Sequence, residues 1–393
     1  MANDTRTLEL EIEEAVRQRY ARAARATEAA LCCPVAYDPA LLHALPEEVI
    51  DRDYGCGDPS RHLHRGDTVL DLGSGSGKIC FIASQLVGPS GAVIGIDVND
   101  EMLAVARRSA PEVARRIGYA NVRFGKARIQ DLALDLDRLD RWLAARPIRS
   151  SHDFGPLDTE MARLRTEEPL VADASVDAVV SNCVLNLVRP GDKAQLFAEI
   201  FRVLRPNGRA IISDIVSDED VPAELRNDPE LWTGCLSGAL REDRLLDGFA
   251  AAGFYGITIA ARVEQPWRTV EGIEFRSITV VAYKGKDGAC LDHKEAVIYR
   301  GPFREVRDDD GHVFGRGVRT AVCRKTFEIL MREPYRDHME AVEPLVPVNV
   351  SDARPFPCTQ GAVLRDPSET KGAGYRLTTE PRGALCSPDE GCC

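Results

Sequence analysis

From Asp67 to about Ala282, short β-branched apolar runs alternate with stretches whose apolar residues recur at helical spacing. TVLDLG precedes KICFIASQLVG, AVIGIDV precedes DEMLAVARRSAPEVARRIG, NVRFGKA stands next, VDAVVSN precedes DKAQLFAEIFRVL, and GRAIISDIV follows. Strand runs at Gly256–Val263 and Glu274–Tyr283 would close the set. This alternation predicts an α/β fold, a parallel sheet covered on both faces by helices. Ahead of it, residues 8–29 carry apolar positions at helical spacing among Ala, Glu and Arg and predict an amphipathic helix ended by Cys32-Cys33-Pro34. Residues 133–172 interrupt the alternation with DLDRLDRWLAA and DTEMARLRTEE, an inserted helical excursion.

Beyond Lys284 the period changes. VIYRGPFREVRDDDGHVFGRGVRTAVCRKTFEIL alternates polar and apolar residues around Asp308-Asp309-Asp310-Gly311, which predicts antiparallel strands in a small second domain. Residues 361–393 are rich in Gly, Pro, Ser and Thr, which predicts a mobile tail. Four regions follow: an N-terminal helical segment with a cysteine loop (1–60), the α/β domain (61–285), a β-rich domain (286–360) and the tail (361–393).

Composition narrows the function. Hydrophobic content of 44% and charged content of 28% are those of an ordinary soluble domain. A net charge of -12 argues against the basic surface that nucleic acid requires. No run approaches the ~20 apolar residues that span a bilayer, and MANDTRTLELEIEE is not a signal peptide. A cytoplasmic monomer with a small substrate is expected. The twelve cysteines then point to metal or redox chemistry rather than structural disulfides.

VLDLGSGSGK sets Asp71 before Gly73, Ser74, Gly75 and Gly77, between a first strand and its helix. Glycines there let a ligand approach the backbone, and the helix start supplies amide donors. The spacing Gly-x-Gly-x-Gly differs from the dinucleotide fingerprint and favours S-adenosylmethionine over NAD. Asp97, ending the second strand, is placed to accept ribose hydroxyls, and Asp71 to hold an amino group. Met102 either packs on adenine or belongs to the core; Ile129 and Gln130, after the third strand, are further candidates to meet adenine.

The blocks IDRDYGCGDP, VLDLGSGSGKICFIASQLVG, GIDV, VVSNCVLNLV, RVLRPNGRAIISDIV and LWTGCLSGAL, spread over roughly residues 30–285, resemble the arsenite S-adenosylmethionine methyltransferase family. The resemblance implies a Rossmann-like class I methyltransferase fold, with arsenite and methylarsenite as substrates. It implies that Cys56, Cys183 and Cys235, in YGCG, SNCVLNL and WTGCLSGAL, cage trivalent arsenic, which is soft and prefers thiolates. Tyr54 would hold a sulfonium against its ring or simply pack. Cys32 and Cys33 fall where the family carries a fourth functional cysteine, which implies disulfide exchange with Cys56 and a thioredoxin or glutathione reductant.

Other readings of the residues stand beside this one. Cys80 and Cys323 read as small core hydrophobes, Cys290 and Cys358 carry no signal, and the tail cysteines Cys386, Cys392 and Cys393 either deliver arsenic or are incidental. The histidines form no ligand pattern, and without any C-x-x-C structural zinc is disfavoured. A methyltransferase for an organic acceptor would keep the glycine loop but place an acid or base beside it, whereas a metalloid-binding protein would need the thiols without the loop.

Overall fold

The computed structural model describes residues 14–28, 35–52, 54–358 and 363–371. The chain divides into two compact units, Met1–Gly285 and Lys286–Cys393.

The first unit is built on one sheet of β1 (Thr68–Leu72), β2 (Ala92–Asp97), β3 (Val122–Lys126), β4 (Val176–Asn182), β5 (Leu204–Ser217), β6 (Leu240–Arg241), β7 (Tyr255–Arg262), β8 (Arg268–Val270) and β9 (Ile273–Tyr283). The order is β3-β2-β1-β4-β5-β9-β7, with β6 paired to β5 and β8 to β9. β1 to β5 are parallel. The two closing strands, whose direction the sequence left open, are of mixed sense: β9 runs antiparallel between β5 and β7. The cause is connection length: residues 263–272 are too few for the helical crossover of a dozen or more residues that a parallel return needs.

The strands are β-branched and buried on both faces, as a helix-covered sheet demands. Val69, Leu70, Leu72, Val179 and Ile212 have no exposed surface. Helices Lys78–Val87 and Asp100–Ile117 follow β1 and β2, and Lys193–Val203 and Glu242–Ala251 precede β5 and β7. Phe197 and Phe249 of the last two meet edge to face at 4.9 Å. Asn99 caps helix Asp100–Ile117 by accepting the Met102 amide, and Gly118 closes it at φ 88°. The inserted stretch forms helices Leu136–Ala145 and Phe154–Glu167, which bury Leu139 and Leu164 against Leu134. Of the N-terminal helix, positions 14–23 are helical; its expected start lies outside the described residues, and it stops short of residue 29.

The second unit holds β10 (Leu291–Asp292), β11 (Ala296–Tyr299), β12 (Glu305–Arg307), β13 (Val313–Gly315), β14 (Arg319–Ala321), β15 (Met339–Val342) and β16 (Arg354–Pro355). β11 lies between β14 and β15, β12 pairs with β13, and β10 pairs with β16, all antiparallel. Asp308 holds the expected turn, accepting the His312 amide at 2.8 Å and lying 2.7 Å from its Nδ1, which draws that histidine into a local acid pair the sequence did not signal. Two further differences appear. Arg324–Leu330 is a helix, so Cys323 caps a helix rather than packing in a strand. Residues 363–371, read as part of a loose tail, are docked: the Ala321 amide donates to the Val363 carbonyl at 2.7 Å, and buried Arg365 pairs with Asp292 at 2.6 Å. Composition cannot foresee a single well-placed guanidinium.

Arg209 and Asp67 form a buried ion pair at 2.5 Å beneath the sheet, and Asp67 also accepts the His64 amide at 2.7 Å. Asp67→Ala leaves a buried guanidinium uncompensated and is expected to cost about 3–5 kcal/mol, read as a lower denaturation midpoint in urea. An unchanged midpoint would show that water reaches this pair.

Candidate active site

A cavity of about 430 Å³ opens at the carboxyl ends of β1, β2 and β4, where the strand order reverses. The loop after β1 forms one wall. Gly73, Gly75 and Gly77 all have positive φ (67°, 52° and 92°), and a Cβ on Gly75 would meet nothing within 4 Å, so the backbone is bare toward the cavity. The Ser74 hydroxyl, on the same wall, is buried without a partner. Asp97 accepts the Gly75 amide at 2.8 Å and the Asn99 amide at 2.8 Å, one on each oxygen. Burial pushes its pKa up against these two bonds. Asp71 is buried at the cavity edge and accepts the Cys80 thiol at 3.1 Å. Burial and that carboxylate hold Cys80 firmly as a thiol.

Tyr54, Met102, Ile129 and Gln130 line the cavity as well. Tyr54 is fixed by donating to the Ala23 carbonyl at 3.0 Å and by an edge-on contact with Tyr20 at 6.2 Å. An adenosyl group with a charged amino-acid end fits this lining: acids for ribose and ammonium, an orphaned hydroxyl, a glycine backbone open to close approach, and apolar faces for a purine.

Cys183, the residue after β4, lines the far wall. Its φ is 63°, and Cys235 shares that value; the left-handed region is costly for residues with a Cβ. The Cys183 amide donates to Ser213 at 2.8 Å, and the Cys235 thiol donates to the Cys183 carbonyl at 3.2 Å. The neighbouring thiols of Cys235 and Cys56, and then burial, push the pKa of Cys183 well up. Burial first, with Asp214 nearby, raises Cys56. The structure therefore joins the three predicted cysteines, with Cys183 central. Ile215, Val221, Leu236 and Phe275 pack with them in one apolar cluster.

Asn182 holds the Cys56 loop. Its Oδ1 accepts the amides of Cys56 at 2.9 Å and Gly57 at 3.1 Å, and its Nδ2 donates to the Gly57 carbonyl at 2.7 Å. The approach is so close that a Cβ on Gly55 would lie 2.1 Å from Asn182 Nδ2. Asn186 bonds to the carbonyls of Ile215 and Cys235, and Lys193 to that of Gly238. Burial lowers Lys193 to about 8 and raises Asp214 to about 6. From the N-terminal helix, the Tyr20 hydroxyl lies 3.8 Å from the Cys235 sulfur. Sequence reasoning missed Tyr20, Asn182, Asn186, Lys193 and Asp214. The two asparagines lay inside the quoted run VVSNCVLNLV and were the only signal. Cys32, Cys33, Cys386, Cys392 and Cys393 lie outside the described residues.

The sheet order, the bare glycine loop and the acid ending β2 define a class I S-adenosylmethionine-dependent methyltransferase. Consistently, a family model described as a methyltransferase domain matches residues 63–168 and 144–253, and a domain of unknown function matches 286–375. An arsenite methyltransferase of Aquipseudomonas alcaligenes is 34% identical over 331 residues, 79% of this chain and 84% of that protein. Another, from Halobacterium salinarum, is 37% identical over 216 residues, 54% of this chain and 44% of that protein. An arsenic(III) S-adenosylmethionine methyltransferase from Chlamydomonas reinhardtii, solved by crystallography, superposes with a TM-score of 0.54 at 27% identity, covering 80% of this chain and 99% of that one. The chain belongs to the arsenite methyltransferase family.

Asp97→Ala is expected to weaken S-adenosylmethionine binding by ~1.5–3 kcal/mol, the worth of bonds to a charged group; an unchanged affinity by calorimetry would remove Asp97 from the site. Asp214 makes a pH prediction. Its folded pKa, about 6, exceeds its ordinary 3.8, so the folded state retains a proton that the unfolded chain has lost between those values. Its contribution to stability is complete below the lower value and lost as pH rises through the upper. Asp214→Asn should erase that decline, measured as the difference between the variant's and the parent's unfolding free energies from pH 4 to 7.

Proposed function

We propose that Cys56, Cys183 and Cys235 bind trivalent arsenic as substrate, and that the chain methylates it with S-adenosylmethionine. The observation that carries this is the position of Cys183, packed in one buried cluster with Cys56 and Cys235 and lining the cofactor cavity. Each As–O bond of arsenite is replaced by an As–S bond, and the displaced hydroxide leaves as water with the thiol proton. No separate base is needed, which suits thiols whose pKa is raised rather than lowered. Three sulfurs leave the arsenic lone pair opposite them, free to attack. When bound, S-adenosylmethionine supplies an electrophilic methyl group.

The chain's own contribution is placement and dryness. Asn182 clamps Cys56, the left-handed turns aim Cys183 and Cys235, and the apolar surround excludes competing water. Transfer raises arsenic formally from the trivalent to the pentavalent state, so two electrons must return it. Cys56 with Cys32 or Cys33 would supply them and become a disulfide, which thioredoxin or glutathione then reduces.

Incubation with arsenite, a thiol and S-adenosylmethionine should give methylated arsenic and S-adenosylhomocysteine. Turnover of an organic acceptor with none on arsenite would end this reading, and binding without turnover would make the chain a metalloid carrier. Cys183→Ser or Cys235→Ser should abolish every methylation. Cys56→Ser should spare methylarsenite more than arsenite, because carbon already fills one of the three valences. Equal losses on both substrates would contradict the cage. Mass spectrometry after one turnover without reductant should find Cys56 joined to Cys32 or Cys33, and its absence would exclude this electron route.

A further inference from the structure

Three cysteines that play no part in the methyl-transfer site meet in the second unit. The sulfurs of Cys290, Cys323 and Cys358 all lie within 4.8 Å of one another. They come from distant segments: Cys290 directly precedes β10, Cys323 caps helix Arg324–Leu330, and Cys358 follows β16, the partner of β10. The Phe356 amide donates to the Cys290 carbonyl at 2.8 Å, which holds two of these segments side by side. Cys323 is fully buried, while Cys290 and Cys358 are half-buried. An ion can therefore reach the cluster past the outer pair.

The sulfurs differ in their surroundings: burial, then hydrogen bonding with Cys290 and Cys323, pushes Cys358 up, while Cys323 is held by donors. The Thr326 amide donates to the Cys323 sulfur at 3.4 Å, and the Thr326 hydroxyl lies 3.3 Å from it. Although burial opposes ionisation, these contacts and the bonds from Cys358 and Cys290 hold Cys323 below its ordinary pKa. Among the described residues no fourth Cys, His, Asp or Glu joins the three sulfurs. Zinc in structural sites takes four protein ligands in a tetrahedron. The three thiols that the described residues bring together match a soft ion with three pyramidal bonds and a lone pair in the remaining direction.

We propose that Cys290, Cys323 and Cys358 form a second binding site for trivalent arsenic, held wholly within the C-terminal unit. The choice of arsenic among thiophilic ions rests on the function proposed above; the three-thiol geometry does not. Arsenite enters with exchange of three As–O bonds for three As–S bonds and release of three waters, and no electron is transferred.

The test uses the full chain, reduced and freed of metal, in a Cys183→Ser, Cys235→Ser background, with arsenite as the probe. Bound arsenic is counted after gel filtration, and its sulfur neighbours by arsenic K-edge absorption. The expected result is one tightly held arsenic with three sulfur neighbours, lost when Cys290→Ser and Cys358→Ser are added. Those two changes leave Cys323, and hence the helix cap, in place. Should that pair unfold the unit, the single Cys290→Ser change must lower the sulfur count to two. The proposal is overturned if the added changes alter neither the count nor the coordination, or if the purified chain holds zinc there that arsenite does not displace. Methylation is followed separately in the chain with Cys183 and Cys235 intact, so failure of the function reading appears as absent turnover with this arsenic still bound.

Discussion

At Cys183 the chain leaves β4 with φ at 63°, a conformation that a residue with a Cβ adopts at a cost of about 1–3 kcal/mol. The neighbours on both sides enforce it. Asn182 is engaged by the Cys56 loop, the Cys183 amide by Ser213, and the Cys183 carbonyl by the Cys235 thiol. Cys235 repeats the same left-handed geometry on a separate segment. This backbone strain, held by hydrogen bonds, accompanies the gathering of three thiols from three distant parts of the chain. Without it Cys183 would continue the strand and face a core layer instead of the cavity.

Dryness follows from the same arrangement. Placing three sulfurs among Ile215, Val221, Leu236 and Phe275 costs little while they carry protons, since a buried thiol behaves as a small hydrophobe. The charged groups beneath are less comfortable. Lys193 and Asp214 are both shifted toward neutrality by burial, and each is anchored to backbone. They serve as posts for the loops at Gly238 and Leu185, and the surrounding core absorbs their desolvation.

The sequence disclosed those parts of the molecule that repeat or are chemically distinctive. Alternating runs located β1 to β5, the glycine loop and Asp97, because a buried parallel sheet demands continuous β-branched residues and a phosphate-type turn demands glycine. The antiparallel insertion of β9 was hidden, since direction depends on the length of the preceding connection and not on the strand's own residues. Asn182 and Tyr20 act through geometry that no spacing rule describes. The cluster of Cys290, Cys323 and Cys358 was illegible for the same reason: widely separated cysteines announce nothing until pairing of β10 with β16 brings two of them together. Residues 363–371 looked loose by composition, yet one arginine docks them.

The helix at 14–23 places Glu14, Val16, Arg17 and Tyr20 on the cofactor cavity, and the same Tyr20 reaches the Cys235 sulfur. One short helix thus borders both the cavity and the thiol cluster, so a change of side chain at Tyr20 is felt on two surfaces at once.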